Sequence, residues 1–271
     1  MADQIEMPLR GVPPKEIALR AAPLISVIAQ VRFPALLAVQ NQDRVAVFQE
    51  VIRKTYPHLT REEIPTALIV DPARQLSSVS SMAVHWRFAD GMGAAWKWRI
   101  SLTQDFISLE SRAYQSRKDF LERLQVILHA LEATLAPSHV TRLGMRYIDQ
   151  IKGEAVSRIG SLLRREVMGI AGSLGENAKQ FFTELHVGAE PGDLVARWGK
   201  LPAGMTIDPN LVPPLGEDSW LIDLDVSRTE EDAAFNTATV IDTARLAAER
   251  VYAVFRWMVT PEFLQTYGGK V

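Results

Sequence analysis

The sequence predicts an α+β protein: antiparallel β-sheet with long amphipathic helices packed on one face, arranged as two similar halves. Three observations lead there. Segments such as LISVIAQVRF and SMAVHWRFADGMGAAWKWRISL alternate apolar and polar residues with a period of two. Two stretches, 116–135 and 234–259, carry apolar residues at helical spacing over several turns. Each of these follows a run of strands, so the order of strands and then a long helix occurs twice, without a letter-by-letter repeat. The expected organisation is an extended lead-in over 1–17, a first α+β half over 18–152 and a second over 153–271, the halves packed as one globular unit.

Taken in order, 1–16 holds Pro8, Pro13 and Pro14 and no apolar period, which predicts extended chain. Residues 24–33 form the first strand, with Ile25, Val27, Ala29, Val31 and Phe33 on one face and Ser26, Gln30 and Arg32 on the other. A helix is expected over about 43–56, capped by Asp43, with Val47, Phe48, Val51 and Ile52 apolar and Pro57 as its stop. A meander of three strands follows. It turns at Asp90-Gly91 and Gln104-Asp105, and places Trp86, Phe88, Trp96, Trp98, Ile100 and Leu102 inward. Ser116-x-x-Asp119 resembles a capping box and opens a helix striped by Leu121, Leu124, Leu128, Leu131 and Leu135. Pro137 ends it, and RLGMRYIDQI (142–151) continues as a strand.

The second half begins with SRIGSLLRREVMGI, which reads as helical, and Gly169, Gly172 and Gly175 mark a break. A hairpin turning at Glu190-Pro191-Gly192-Asp193 comes next, then a proline-rich loop over 202–218. SWLIDLDVS is a strand, and 234–259 is the longest helix, with Ile241, Ala244, Ala248, Val251, Phe255 and Met258 on its apolar face.

Composition narrows the function classes. Apolar residues are 47% and charged residues 23%, enough for a packed core. The absence of cysteine rules out disulfides, thiolate metal sites and a cysteine nucleophile, and fits a cytoplasmic setting. No apolar run reaches the roughly 18 residues needed to span a bilayer, and no signal peptide is expected. Residues 1–165 carry 22 Lys+Arg against 16 Asp+Glu, whereas 166–271 carry 8 against 16. The net charge of −2 is too neutral for a dedicated nucleic-acid binder. Walker, dinucleotide-binding and G-x-S-x-G motifs are missing, and His58, His85, His129, His139 and His186 lack zinc spacing.

Three constellations remain. The inward tryptophans leave His85, Arg87, Lys97 and Arg99 on the outer face, where Arg32, Arg142 and Arg146 join them if their strands are neighbours. Guanidinium forks on such a face would suit an anionic ligand. The plainer reading is a solvated face neutralised by acids such as Glu110. The tryptophans themselves read as core in preference to base-stacking platforms. Asp223 and Asp225 share a strand face at a spacing that can hold a divalent cation, or that can simply pair with the arginines.

Pro23, Leu24, Val31, Arg32 and Phe33, then Tyr114 and Phe120, then Arg142, Gly144, Arg146, Tyr147 and Asp149, and finally Asp223 and Asp225 together resemble the motifs of a sporadically distributed, uncharacterised family of bacterial proteins of about this length. Its first strand reads P-[IL]-x-E-x-x-x-E-[IV]-R-F and its central strand R-[LI]-G-x-R-[YF]-I-[ND]. The resemblance implies a full-length fold and a pairing of first-strand acids with central-strand arginines. In this chain Ser26 and Gln30 stand at the acidic positions. A polar network of Gln30, Tyr147 and Asp149 around Arg142 and Arg146 is expected, reaching Arg32, Asp223 and Asp225. The sporadic distribution is of the kind seen for mobile accessory genes such as conflict or defence systems.

The functional expectation is a non-enzymatic cytoplasmic protein-interaction module, self-associating as a dimer through an exposed helix or sheet edge, with no catalytic residue, cofactor or membrane contact. The alternative is an anionic-ligand or nucleic-acid binding protein, extending to a metal-dependent phosphodiester enzyme. It would use Arg32, Arg87, Lys97, Arg99, Arg142 and Arg146 for the anion and Asp223 and Asp225 for the metal.

Overall fold

The computed structural model describes residues 8–71, 76–174 and 177–270, with the backbone alone described for 64–71, 76–81 and 232. The protein is α+β with an antiparallel sheet. In chain order its elements are β1 (Leu24–Arg32), α1 (Gln42–Ile52), β2 (His58–Asp71), β3 (Leu76–Ala89), β4 (Trp98–Leu102), β5 (Phe106–Ser111), α2 (Arg117–Thr134), β6 (His139–Ile151), α3 (Glu154–Ser157), α4 (Ile159–Leu162), α5 (Arg165–Leu174), β7 (Phe181–Ala189), β8 (Gly192–Leu201), β9 (Ser219–Ala234), α6 (Thr237–Met258) and α7 (Pro261–Thr266). No described helix is long and apolar enough to cross a membrane.

The chain forms two compact units. Unit 1 comprises the described residues of Met1–Val27, Gly144–Arg228 and Thr243–Val271, and unit 2 comprises Ile28–Leu143 and Thr229–Asp242. Both units draw on separate stretches of chain, so neither coincides with the consecutive halves 18–152 and 153–271. Strands β1, β6 and β9 each contribute one stretch to either unit.

In unit 2 the strand order runs β2-β3-β4-β5 and then into its stretches of β1, β6 and β9. The three-stranded meander is β3, β4 and β5, with Trp86 opposite Leu102 and Ile100 opposite Leu109. Alternation explains the layering: Trp86, Phe88, Trp98, Ile100 and Leu102 are buried. Phe88 meets Phe48 of α1 at 5.5 Å between ring centroids, and Trp98 meets Phe120 of α2 at 5.7 Å. Both helices therefore lie on the apolar face. The Ser116 hydroxyl accepts from the Asp119 N–H at 3.2 Å, and all five leucines of the α2 stripe are buried.

Three local expectations change. Strand β2 occupies a stretch to which the sequence assigned no strand, and it pairs with β3 along its length. Helix α1 is capped by Asn41, whose side chain accepts from the Asp43 and Arg44 N–H groups. That shift of frame buries Val45, Phe48 and Ile52 and leaves Val47 and Val51 more than half exposed. Strand β4 starts only at Trp98, because the Asp90 carboxylate accepts from the N–H groups of both Lys97 and Trp98 and holds the preceding turn. Trp96 and Lys97 thus precede the strand. The break expected at the glycines is present at Gly169, whose non-helical φ of 49° separates two helical segments of α5.

In unit 1 the stretches of β1, β6 and β9 continue through β8 to β7. The β7–β8 hairpin turns at 190–191. A Cβ on Gly192 would lie 2.1 Å from the Ser227 carbonyl oxygen, so only glycine lets β8 approach β9 there. The helix-facing side includes Trp198, whose indole donates to the Val167 carbonyl of α5 at 2.8 Å. The opposite side holds a core of Ile148, Leu201, Val212 and Leu221 beneath the 202–218 loop. Gln150 fastens that loop by donating to the Pro213 carbonyl. Arg250 of α6 is 5% exposed, and its guanidinium donates to the carbonyls of Pro8, Arg10, Gly11 and Glu190. Those bonds, with Tyr252 bonded to Ile17 and Lys15, hold the extended N-terminal segment along unit 1.

Candidate functional site

Strand alternation puts Arg146 on the side of β6 that carries Ile148 and Gln150. In unit 1 that side faces the Asp223 side of β9. Arg146 donates from Nε and Nη2 to the two Asp223 carboxylate oxygens, each at 2.7 Å. Asp223 has no exposed side-chain surface. Its register partner on β8 is Arg197, with Nη1 at 3.6 Å from the same carboxylate. Arg197 in turn faces Glu184 on β7 and donates to it, and Glu184 also bonds His186 at 2.8 Å.

The result is a row of alternating charge across four strands: Arg146, Asp223, Arg197, Glu184. A buried carboxylate is tolerated because two guanidiniums flank it. Burial disfavours the Arg146 charge, but the Asp223 hydrogen bonds and charge more than offset this, so the Arg146 pKa is raised. Glu184 titrates below the usual carboxylate range, held there first by His186 and then by Arg197. Asp225 lies two residues along the same face of β9 and is half-buried.

Unit 2 handles its arginines differently. Arg87 of β3 pairs with Glu62 of β2 at 2.8 Å, and Arg99 of β4 pairs with Glu110 of β5 at 2.6 Å. Arg32 lies 3.6 Å from Asp105 and over the Phe106 ring. Arg142 donates to the Gln30 amide oxygen at 3.3 Å. Trp96 is buried and carries two guanidiniums against its ring, Arg99 at 4.2 Å and Arg112 at 3.9 Å from the centroid. This cation–π contact puts Trp96 beside Arg99, whereas Trp98 packs on α2. His85 has its pKa lowered by burial and by neighbouring Arg87. Lys97 is exposed in the turn before β4.

Arg142 with Gln30 belongs to unit 2, and Arg146 with Asp223 to unit 1. Tyr147 and Asp149 alternate onto the opposite, helix-facing side of β6. Asp149 is buried, and burial pushes its carboxyl up to about 7. Tyr267, the C-cap of α7, has its pKa raised first by its own burial and next by the Asp149 charge. Among the described residues, no group of three or more His, Asp or Glu is arranged to hold a metal.

Sequence reasoning missed Glu62, Glu184 and Arg197, the partners that complete these pairs. It also missed a cavity of about 570 Å³ in unit 1, whose lining includes Trp220, Phe181, Lys200 and Met168. The available signal was the hairpin register, which places Phe181, Lys200 and Trp220 in one row across three strands. No family model matches the chain, and no curated protein matches it.

Proposed function

We propose that this protein is a non-enzymatic interaction module of the cytoplasm that pairs with a protein partner, in the first instance a second copy of itself, along strand β7. The observation that carries this reading is the position of β7. Among the described residues it stands at the end of the strand order, with β8 as its one strand neighbour, and it is nine residues long. A terminal strand of that length presents a row of backbone donors and acceptors that another chain can extend. Phe182 and Leu185 are 38% and 44% exposed and lie on opposite faces of the strand, so a paired strand would gain apolar contact above and below.

The anionic-ligand and phosphodiester-enzyme alternatives are less well supported. They require Arg87, Arg99, Arg146 and Asp223, and each of these is engaged with an internal partner of opposite charge.

Sedimentation across a concentration series tests the proposal. The wild type is expected to be a dimer that dissociates on dilution, and Phe182→Lys with Leu185→Lys is expected to be monomeric, with the melting temperature of the dilute, dissociated parent. A wild type that stays monomeric at its highest soluble concentration, or a variant that dimerises as well as the parent, would overturn self-association through β7.

A further inference from the structure

The cavity in unit 1 lies on the helix-facing side of the sheet. Its floor is a row of three side chains from adjacent strands: Phe181 of β7, Lys200 of β8 and Trp220 of β9. Phe181 and Trp220 stack with centroids 5.9 Å apart. Met168 of α5 and the short helices α3 and α4 complete a predominantly apolar lining. A volume of about 570 Å³ lies within the range of small-molecule sites.

Two features define what would fit. Trp220 is 2% exposed, and its buried indole N–H has no hydrogen-bond partner among the described residues. A buried donor without an acceptor is costly, and such groups call for an explanation. The charged lining consists of Lys200 against Glu217 and Asp218, with Lys200 already bonded to Asp218 at 3.0 Å. An added anion would therefore meet a surplus of negative charge. We infer that this cavity is a binding site for an uncharged, ring-containing small molecule that stacks against the aromatic floor and offers a carbonyl or ring-nitrogen acceptor to Trp220.

The test uses the full chain and three fluorescent probes. Nile red is uncharged, aromatic and carries a carbonyl; diphenylhexatriene is apolar without an acceptor; anilinonaphthalene sulfonate is an anion. Nile red is expected to saturate a single site with a blue-shifted rise in emission, and the sulfonate to bind more weakly. Gly160 lines the cavity, and a Cβ built on it meets nothing within 4 Å. Gly160→Leu is therefore expected to fill space and weaken both uncharged probes by about tenfold or more while the melting temperature holds. Trp220→Phe keeps a ring and removes the N–H. It is expected to weaken Nile red by about fivefold, the size of one hydrogen bond, and to leave diphenylhexatriene unchanged. Absence of Nile red binding, or equal binding to wild type and Gly160→Leu, would overturn the site. If Gly160→Leu fails to fold, Trp220→Phe decides alone: equal loss of both uncharged probes, or loss of neither, would overturn the assignment of the acceptor.

Discussion

The two units neutralise their sheet arginines in different ways. In unit 1 one fully buried carboxylate, Asp223, faces two guanidiniums, and the row extends to Glu184 at the last strand. In unit 2 several sheet arginines pair with acids of that unit, among them Arg99–Glu110, whose side chains are 18% and 8% exposed, and Arg32–Asp105, at 46% and 44%. The same residue types therefore carry different energetic weight. Breaking a buried pair strands a charge without water, whereas breaking an exposed one returns both groups to solvent. Basic residues on a strand face are in this protein mostly cross-strand partners.

Removing Arg146 should have the largest effect. Arg146→Ala leaves Asp223 buried with Arg197 as its remaining cation, and urea unfolding should show a loss of about 4 kcal/mol. A loss below that of Arg99→Ala would erase the contrast between the units.

A second buried carboxylate sharpens the point. Asp149 is raised to about 7, and burial is the sole cause. Its ordinary value in the unfolded chain is about 3.9, so between those values the native state holds a proton that the unfolded state has released. Stability should fall as pH rises through that window and level off above it. Asp149→Asn removes the ionisation, and thermal melts should match the wild type near pH 4 and exceed it at pH 8 by about 4 kcal/mol. A variant that is less stable than the parent at pH 8 would show that the native state needs this carboxylate charged.

Arg99→Ala comes next. It removes one partner of Glu110 and one guanidinium from Trp96, with an expected cost of about 2 kcal/mol in chemical denaturation. Smallest is Arg32→Ala, where both groups of the pair are nearly half exposed, with a change below about 0.5 kcal/mol that disappears in high salt.

Much of this architecture was legible because it is local. Period-two alternation identified the meander, and helical spacing identified α2 and α6 with nearly correct ends. Strand β2 was less legible: Pro65 interrupts its pattern, and the register with β3 shifts beside it. The frame of α1 turned on the cap, which Asn41 takes two residues before Asp43, a side chain of similar capping chemistry.

The site was legible only in part. The 142–151 motif puts Arg142 and Arg146 on one strand face, yet the partner of Arg146 lies 77 residues away and that of Arg142 lies 112 away. Which acid meets which arginine depends on strand order, and strand order is not written in any one segment. The cavity is less local still, since its lining runs from Gly153 to Trp220 through three helices and three strands.

Paired sheet arginines hold this fold together to the degree that they are buried. Double-mutant cycles at Arg146–Asp223 and Arg32–Asp105, measured by urea unfolding at low and high salt, test it most directly. A coupling of about 3 kcal/mol that persists in salt is expected at the first pair, against less than about 0.5 kcal/mol at the second. Equal couplings, or a coupling at Arg146–Asp223 that vanishes in salt, would contradict it.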